Sequence, residues 1–323
     1  MSALILSPNQ EQAMAEIHQL IIKHGRDEAK RLVSVEDRQY VDIAARMLAE
    51  ENPALGITYS GFCLTALPHK RLEDDAVWRR QGHKVRLIIE PGRLPLPGGE
   101  DKLYGVPFGS RARLMLLYLQ TRAIQTSCPE VELGRSMREW MSRMGVPIGG
   151  KSYRDIKEQA NRISACNLTF VWDDDGRKAK FAKDSIVKGG IQLYEAEDDN
   201  QPRLWIDTVR LGDNFYKALT DHPVPIAEPA LRHISNQSMA IDVYIWLAYR
   251  LHSLDKPALV TWAALHGQFG AGYDRIRKFK ERFVEPLKAA LAVYPEADVE
   301  ITDEALILKP SAPPIPERQF LTR

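Results

Sequence analysis

Residues 145–152 read GVPIGGKS, a full match to the phosphate-loop pattern G-x-x-x-x-G-K-[ST]. In nucleotide hydrolases this loop follows a buried strand and opens a helix, so that backbone amides, the lysine and the serine surround phosphate and Mg²⁺. Here the preceding residues 137–144 have helical spacing, with Met137, Trp140, Met141 and Met144 on one face. The motif is therefore expected to be a turn between two helices.

Length and composition favour a soluble, cytoplasmic protein of about two domains, since the 323 residues contain no signal peptide and no apolar run of membrane-spanning length. Cys63, Cys128 and Cys166 are far apart in the chain and lack the C-x-x-C spacing. We expect them to pack in the core, with no disulfide, metal site or cofactor.

Basic charge is concentrated around the glycine motif. The chain as a whole has net charge +1, but residues 105–195 hold 15 Lys or Arg and 10 Asp or Glu, a net charge of +5. A second basic island lies at residues 274–288, inside an otherwise acidic C-terminal section. Two basic islands in a balanced chain suggest contact with a polyanion.

The first 104 residues are expected to form an N-terminal extension of helices and strands. Gln10–His24 and Val35–Glu50 have helical spacing, while Ile57–Leu67 and Lys84–Glu90 are short and apolar, as strands are. A loop rich in proline and glycine follows at residues 91–99, and we place a domain boundary near residue 104.

Residues 105–198 have the element order of a winged helix, which is a helix-turn-helix with a β-hairpin appended. The expected elements are a buried helix, a short strand, a helix, the glycine turn, a further helix and a hairpin with an Asp-Gly turn. They lie at Arg111–Ile124, Val131–Leu133, Arg135–Met144, Gly145–Gly150, Lys151–Ala165 and Leu168–Trp172 with the strand from Arg177.

Residues 199–310 repeat that order, and Tyr153 and Ile156 match Tyr273 and Ile276 at a constant offset of 120 residues. The elements are expected at Met239–Leu254, Ala258–Val260, Thr261–Gln268, Tyr273–Val284, Val299–Thr302 and Ala305–Leu308, with Pro286 bending or ending the basic helix. Residues 311–323 are expected to be a tail. The predicted fold class is α+β, mostly helical, with two tandem winged-helix domains.

The second helix of a helix-turn-helix lies in the DNA major groove, with its N-terminal residues near bases and phosphates. Apolar stripes that include Tyr153, Ile156, Tyr273 and Ile276 are expected to face the core, which leaves charged faces outward. Arginine, asparagine and lysine on those faces and on the wing suit base edges and phosphates. The candidate DNA-binding residues are Lys151, Ser152, Arg154, Lys157, Asn161, Arg162, Arg177, Lys178, Lys180, Arg275, Arg277, Lys278 and Arg282.

Several strings of residues between positions 59 and 166 resemble the plasmid-encoded RepA replication initiators. They are YSGFCLTALPH at 59–69, GVPFGSRARL at 105–114, ELGRSM at 132–137, GGK at 149–151 and ISAC at 163–166. The resemblance covers most of residues 55–310 and implies a tandem winged-helix protein that binds double-stranded repeats (iterons) at a plasmid origin. It further implies opening of the adjacent AT-rich DNA, recruitment of the host initiator and replicative helicase, and repression of its own promoter, with homodimers possible.

Other functions are weighed against this one. Tyr153 and Lys157 match the Tyr-x-x-x-Lys of rolling-circle nickases, but the eight histidines never occur as His-x-His, the metal pair that such enzymes need. No other catalytic arrangement can be argued from spacing, so we expect a protein that is not an enzyme. A winged-helix transcriptional repressor remains the main alternative, and a P-loop ATPase a weaker one.

Overall fold

The computed structural model describes residues 13–96, 99–174, 177–189, 191 and 208–315. The chain divides into two compact units. The first, called the central unit, comprises residues 56–224 and 235–238, and the second, called the terminal unit, comprises residues 1–55, 225–234 and 239–323. The first and the last of the described residues therefore belong to the same unit.

Helices and short strands alternate along the described residues, as expected for a mixed α+β protein. The helices are α1 Ala13–His24, α2 Arg26–Leu32, α3 Arg38–Leu48, α4 Ser60–Leu64, α5 Gly109–Gln125, α6 Met137–Arg143, α7 Gly150–Ala165, α8 Asp213–Asp221, α9 Glu228–His233, α10 Ser238–Leu251, α11 Trp262–Phe269 and α12 Ile276–Ala292. The strands are β1 Leu55–Tyr59, β2 Trp78–Gln81, β3 Val85–Glu90, β4 Gly92–Pro95, β5 Asp101–Tyr104, β6 Glu130–Glu132, β7 Asn167–Asp174, β8 Arg177–Ser185, β9 Val187–Lys188, β10 Thr208–Leu211, β11 Pro223–Ala227, β12 Ala258–Thr261, β13 Val299–Ile301 and β14 Ala305–Leu308.

Most of the expected elements are present within a few residues of their predicted bounds, with two corrections. The strand expected at residues 57–67 ends at Tyr59, and α4 follows it at once. Helix α12 continues through Pro286 to Ala292. A proline inside a helix costs about 3 kcal/mol, and here burial of Leu287 and of residues 289–292 offsets that cost.

The residues expected to form one N-terminal extension, 1–104, divide between the two units. Helices α1 to α3 belong to the terminal unit, whereas β2 to β5 belong to the central unit. The physical reason is that α1 and α3 pack against α12, and this packing joins residues as far apart in the chain as Tyr40 and Glu285, which are 245 positions apart.

In the central unit, the hairpin β7–β8 extends a four-stranded antiparallel sheet with the order β2-β3-β7-β8. Aromatic rings pack edge to face behind it, with the ring centres of Tyr59 and Phe170 4.9 Å apart and those of Phe62 and Phe170 5.2 Å apart. Phe215 lies against both Tyr59 and Phe62. The wing expected from sequence is thus one half of a larger sheet with an apolar back.

His69 is a half-buried residue that joins two segments of the central unit. Its Nδ1 lies 3.0 Å from the hydroxyl of Ser238 and 3.3 Å from the Arg113 guanidinium. Arg113 in turn donates to the carbonyl oxygens of Leu67 and Pro68. Burial, together with the charges of Arg113 and Arg80, lowers the pKa of His69 to about 2, so that the imidazole is neutral.

In the terminal unit, α10 to α12 and the sheet β12-β14-β13 enclose an aromatic core that includes Phe269, Phe279 and Phe283. An ion pair fastens the N-terminal helices to it: the Lys288 Nζ lies 2.7 Å from the Asp37 Oδ1, and the two side chains are 12% and 8% exposed. The hydroxyl of Tyr40 also donates to the carbonyl oxygen of Glu285. This buried pair holds the start of α3 against α12.

The Asp37–Lys288 pair gives a stability prediction. Asp37→Ala leaves the Lys288 ammonium buried without its carboxylate, so the free energy of unfolding should fall by about 3–5 kcal/mol. The matched control, Glu281→Ala, removes the exposed pair with Arg277 and should cost less than about 1 kcal/mol. Urea titration followed by tryptophan fluorescence measures both free energies of unfolding. Equal losses in the two variants would contradict a stabilising role for the buried Asp37–Lys288 pair.

His69 gives a pH prediction. The pKa of His69 is lower in the folded protein, so between about 2 and its ordinary value the unfolded chain binds more protons. The free energy of unfolding should therefore fall as the pH drops below about 6.5, by up to about 1.4 kcal/mol per pH unit from this one group. His69→Gln should remove that part of the slope. Parallel stability curves for the two proteins between pH 7 and 5 would disprove it.

Candidate nucleic-acid interface

The first glycine of the phosphate-loop motif ends a helix. Gly145 has a φ of 68°, a left-handed conformation that favours glycine. Its amide donates to Ser142 O at 3.0 Å, and the amide of Val146 donates to Met141 O at 2.8 Å. These two bonds make a Schellman C-cap on α6, so the motif joins two helices and no strand precedes it.

The second and third glycines stand at the start of α7 for a different reason. Gly149 is the N-cap residue, with an extended backbone, and Gly150 is the first helical residue. A Cβ atom added at either position would meet nothing within 4 Å. The fold itself therefore does not require glycine here, and the space around the first turn of α7 is open to an anion.

Helix α7 has a buried face and a water-facing face, as its periodicity indicates. Ile156, Ala160 and Ile163 are fully buried. Lys151 and Arg154 are exposed, and within the described residues their side chains form no hydrogen bond or ion pair. Of the other predicted residues on this helix, Ser152, Lys157 and Asn161 are half-exposed, and so is Tyr153, which was expected to be buried.

Arg162 was expected on the DNA-facing side of α7 and is instead buried, at 2% exposure. Its guanidinium lies 2.7 Å from the Asp74 Oδ1 and 3.1 Å from the Glu158 Oε1, and it donates to the carbonyl oxygen of Val106. The guanidinium also lies 5.1 Å from the centre of the Phe108 ring. Arg162 is therefore a structural anchor, and we remove it from the interface.

Asp74 and Arg71 are residues of this site that sequence reasoning missed. Burial opposes ionisation of Asp74, but its hydrogen bond to Arg162 and the charges of Arg162 and Arg71 outweigh this and lower the pKa of the carboxyl. Arg71 also lies 3.3 Å from the Glu158 carboxylate, which therefore forms ion pairs with both Arg71 and Arg162. No local spacing could have revealed them, because Asp74 and Arg162 are 88 residues apart.

The first turns of α12 form the second predicted face. Arg275, Lys278 and Arg282 are exposed and have no partner within the described residues, whereas Arg277 pairs with Glu281 at 3.2 Å. Ile276 was expected on the buried stripe but is 44% exposed, because α12 begins at this residue rather than at Tyr273. Within the part of the chain that the structure describes, three unpaired arginine and lysine side chains thus lie along the first two turns of α12.

The predicted wing residues lie on β8. The register places Arg177 opposite Asp174 and Lys180 opposite Trp172. The side chains of Arg177, Lys178 and Lys180 lie outside the part of the chain that the structure describes, so their contacts with DNA stay a prediction.

Other kinds of site were sought in the described residues. No group of three or more His, Cys, Asp or Glu side chains is placed there to hold a metal ion. None of the helices in that part has the length and apolar character needed to cross a bilayer.

Comparison with known families identifies the part of the chain that carries α7. Residues 106–263 match the family RepA_C, described as plasmid encoded RepA protein. This part of the chain is therefore similar to the RepA_C domain of plasmid replication proteins. This match confirms the resemblance to plasmid RepA proteins that the sequence motifs indicate.

Two solved structures are similar to the chain, each at 12% sequence identity. A selenomethionine derivative of domains 2 and 3 of RctB has a TM-score of 0.49, covering 77% of this chain and 97% of that chain. A structure of RctB domains 2–3 has a TM-score of 0.45, covering 76% and 93%. A search of curated proteins gives no match.

The two arginines of α7, in the part of the chain similar to RepA_C, should respond differently to substitution. Arg162→Met removes hydrogen bonds to two carboxylates and a carbonyl, so it should lower the free energy of unfolding by about 2–3 kcal/mol. Arg154→Met removes an exposed side chain without a partner, so its effect should be within about 0.5 kcal/mol. Thermal unfolding distinguishes the two, and an equally tolerant Arg162 would refute the anchor.

Proposed function

We propose that this protein is a plasmid replication initiator that binds repeated double-stranded DNA sites at its origin. The protein then opens the neighbouring AT-rich DNA and recruits the host initiator and replicative helicase. It also represses its own promoter. The RepA_C match supports the initiator assignment. The observation that carries DNA binding is the open start of α7, where Lys151 and Arg154 are exposed and unpartnered in the described residues.

The two units support a tandem winged-helix interpretation to different degrees. In the terminal unit, α10, β12, α11, α12 and the hairpin β13–β14 follow the order of a winged helix, and β12 pairs with β14. In the central unit the hairpin β7–β8 pairs with β3, while β6 pairs with β10. We propose that both are winged helices and that the central one has acquired extra strands.

In the proposed complex, α7 and α12 are the recognition helices. Arg154 and Asn161 contact base edges, as bidentate arginine and asparagine side chains do. Lys151, Ser152 and the amides of the first turn hold a backbone phosphate. On α12, the residues proposed to contact base edges and phosphates in the same way are Arg275, Lys278 and Arg282.

Base reading is tested by single substitutions at the exposed arginines. Arg154→Ala or Arg275→Ala should weaken binding to the origin repeats by about 1–3 kcal/mol and weaken binding to random duplex less. Lys217→Ala is the matched control, since Lys217 is an exposed cation on α8. It should leave the ratio of the two affinities, for origin repeats and for random duplex, unchanged. Fluorescence anisotropy on both duplexes measures it. Equal losses on both duplexes would eliminate base reading by these residues.

The phosphate contact is tested by Gly150→Ala. A methyl group at this position meets nothing within 4 Å, so the protein should fold with unchanged stability. A phosphate held against the first-turn amides would meet the methyl group, so duplex affinity should fall. Unchanged affinity in a correctly folded variant would place the phosphate elsewhere.

Two further assays separate the alternatives. An initiator supports replication of a plasmid that carries only this gene and its repeats, whereas a repressor does not. We also propose that the chain is not an enzyme: it should show no ATP hydrolysis that depends on Lys151 and should not nick supercoiled origin DNA with Mg²⁺ or Mn²⁺. Either activity would overturn this part of the proposal.

A further inference from the structure

The four-stranded sheet of the central unit has one apolar face and one exposed face. Val85, Leu87 and Ile89 of β3 are fully buried on the inner face. On the outer face, Arg79 of β2 and Arg86 of β3 are exposed. The register sets Arg79 opposite Ile88 and Arg86 opposite Gln81, so the two arginines are diagonal neighbours.

These two arginines have no ion pair or hydrogen bond from their side chains within the described residues. On β2 and β3, the carboxylate that shares the outer face is Glu90, which stands at the far end of β3, opposite Asn167. At the near end, the turn that joins β2 to β3 adds the exposed residues His83 and Lys84. The β2–β3 hairpin therefore carries positive charge at this end of the outer face, beside a β7–β8 hairpin whose sequence contains both acidic residues (Asp173, Asp174, Asp175) and basic residues (Arg177, Lys178).

The sheet places this charge beside the predicted wing. Val85, the first residue of β3, pairs with Trp172 of β7, two residues before the end of that strand at Asp174. The β2–β3 turn and the β7–β8 turn therefore lie at the same end of one sheet. A duplex that contacts the wing passes next to the β2–β3 hairpin.

We infer that the β2–β3 hairpin is a second DNA-contacting element, in which Arg79 and Arg86 bind backbone phosphates of the duplex beside the wing. This inference rests on the proposed function of α7 as a recognition helix. The contact supplies affinity and not sequence specificity, because phosphates carry no sequence information. A competing explanation is that charge on β2 only protects a sheet edge from pairing with other chains.

The test is the salt dependence of binding by the full chain. Each phosphate contact contributes about −0.9 to the slope of log K against log salt concentration. The double variant Arg79→Gln/Arg86→Gln should therefore lose about 1.8 of that slope, on repeat-containing duplex and on random duplex alike. The control, Arg31→Gln/Lys217→Gln, removes the same charge from exposed positions on α2 and α8 and should keep the slope.

The outcomes separate the inference from the function on which it rests. A wild-type protein that binds neither duplex would remove both. A wild-type protein that binds, with an unchanged slope in the folded Arg79→Gln/Arg86→Gln variant, would overturn the inference alone and leave edge protection. An equal loss of slope in the control would show a general charge effect and would also overturn it.

Discussion

The burial of the Arg162 guanidinium determines which face of α7 is exposed to solvent. Arg162 joins three parts of the central unit, since it contacts Asp74, the backbone of Val106 and the Glu158 carboxylate one turn back along its own helix. A buried charge persists only where it is paired and hydrogen-bonded. The flank of α7 is therefore covered by residues 71–74 and 105–108, and the exposed cations that remain lie toward its first turn.

The glycine motif illustrates how one string of residues can meet the local needs of two different structures. Gly145 is needed for its left-handed backbone at the end of α6, and Gly149 and Gly150 leave open space at the start of α7. Lys151 adds a charge beside that space. A nucleotide-binding loop uses the same chemistry after a strand. Here a helix precedes the loop, so the loop is the turn between α6 and α7.

Local patterns predicted most elements, because periodicity and turn residues act over a few positions. The long α5, the helix pair α6 and α7, and the helices α10 and α11 were all found near their expected bounds, whereas α12 extends eight residues beyond its expected end. The predictions that failed concern contacts between residues far apart in the chain. The helical periodicity of α7 could not show that Asp74 covers Arg162. No local pattern shows that Lys288 pairs with Asp37, 251 residues away. The four-stranded sheet was missed for the same reason, since its pairing of β3 with β7 joins residues about 80 positions apart.

The central claim is that α7 and α12 present two DNA-reading faces on one chain. It is tested most directly by footprinting the purified protein on the DNA that flanks its own gene. The account predicts several protected sites in the same direction, each with both a major-groove contact and flanking phosphate contacts. A single inverted repeat would indicate a repressor, and the absence of any protected site would contradict the assignment of these helices to DNA.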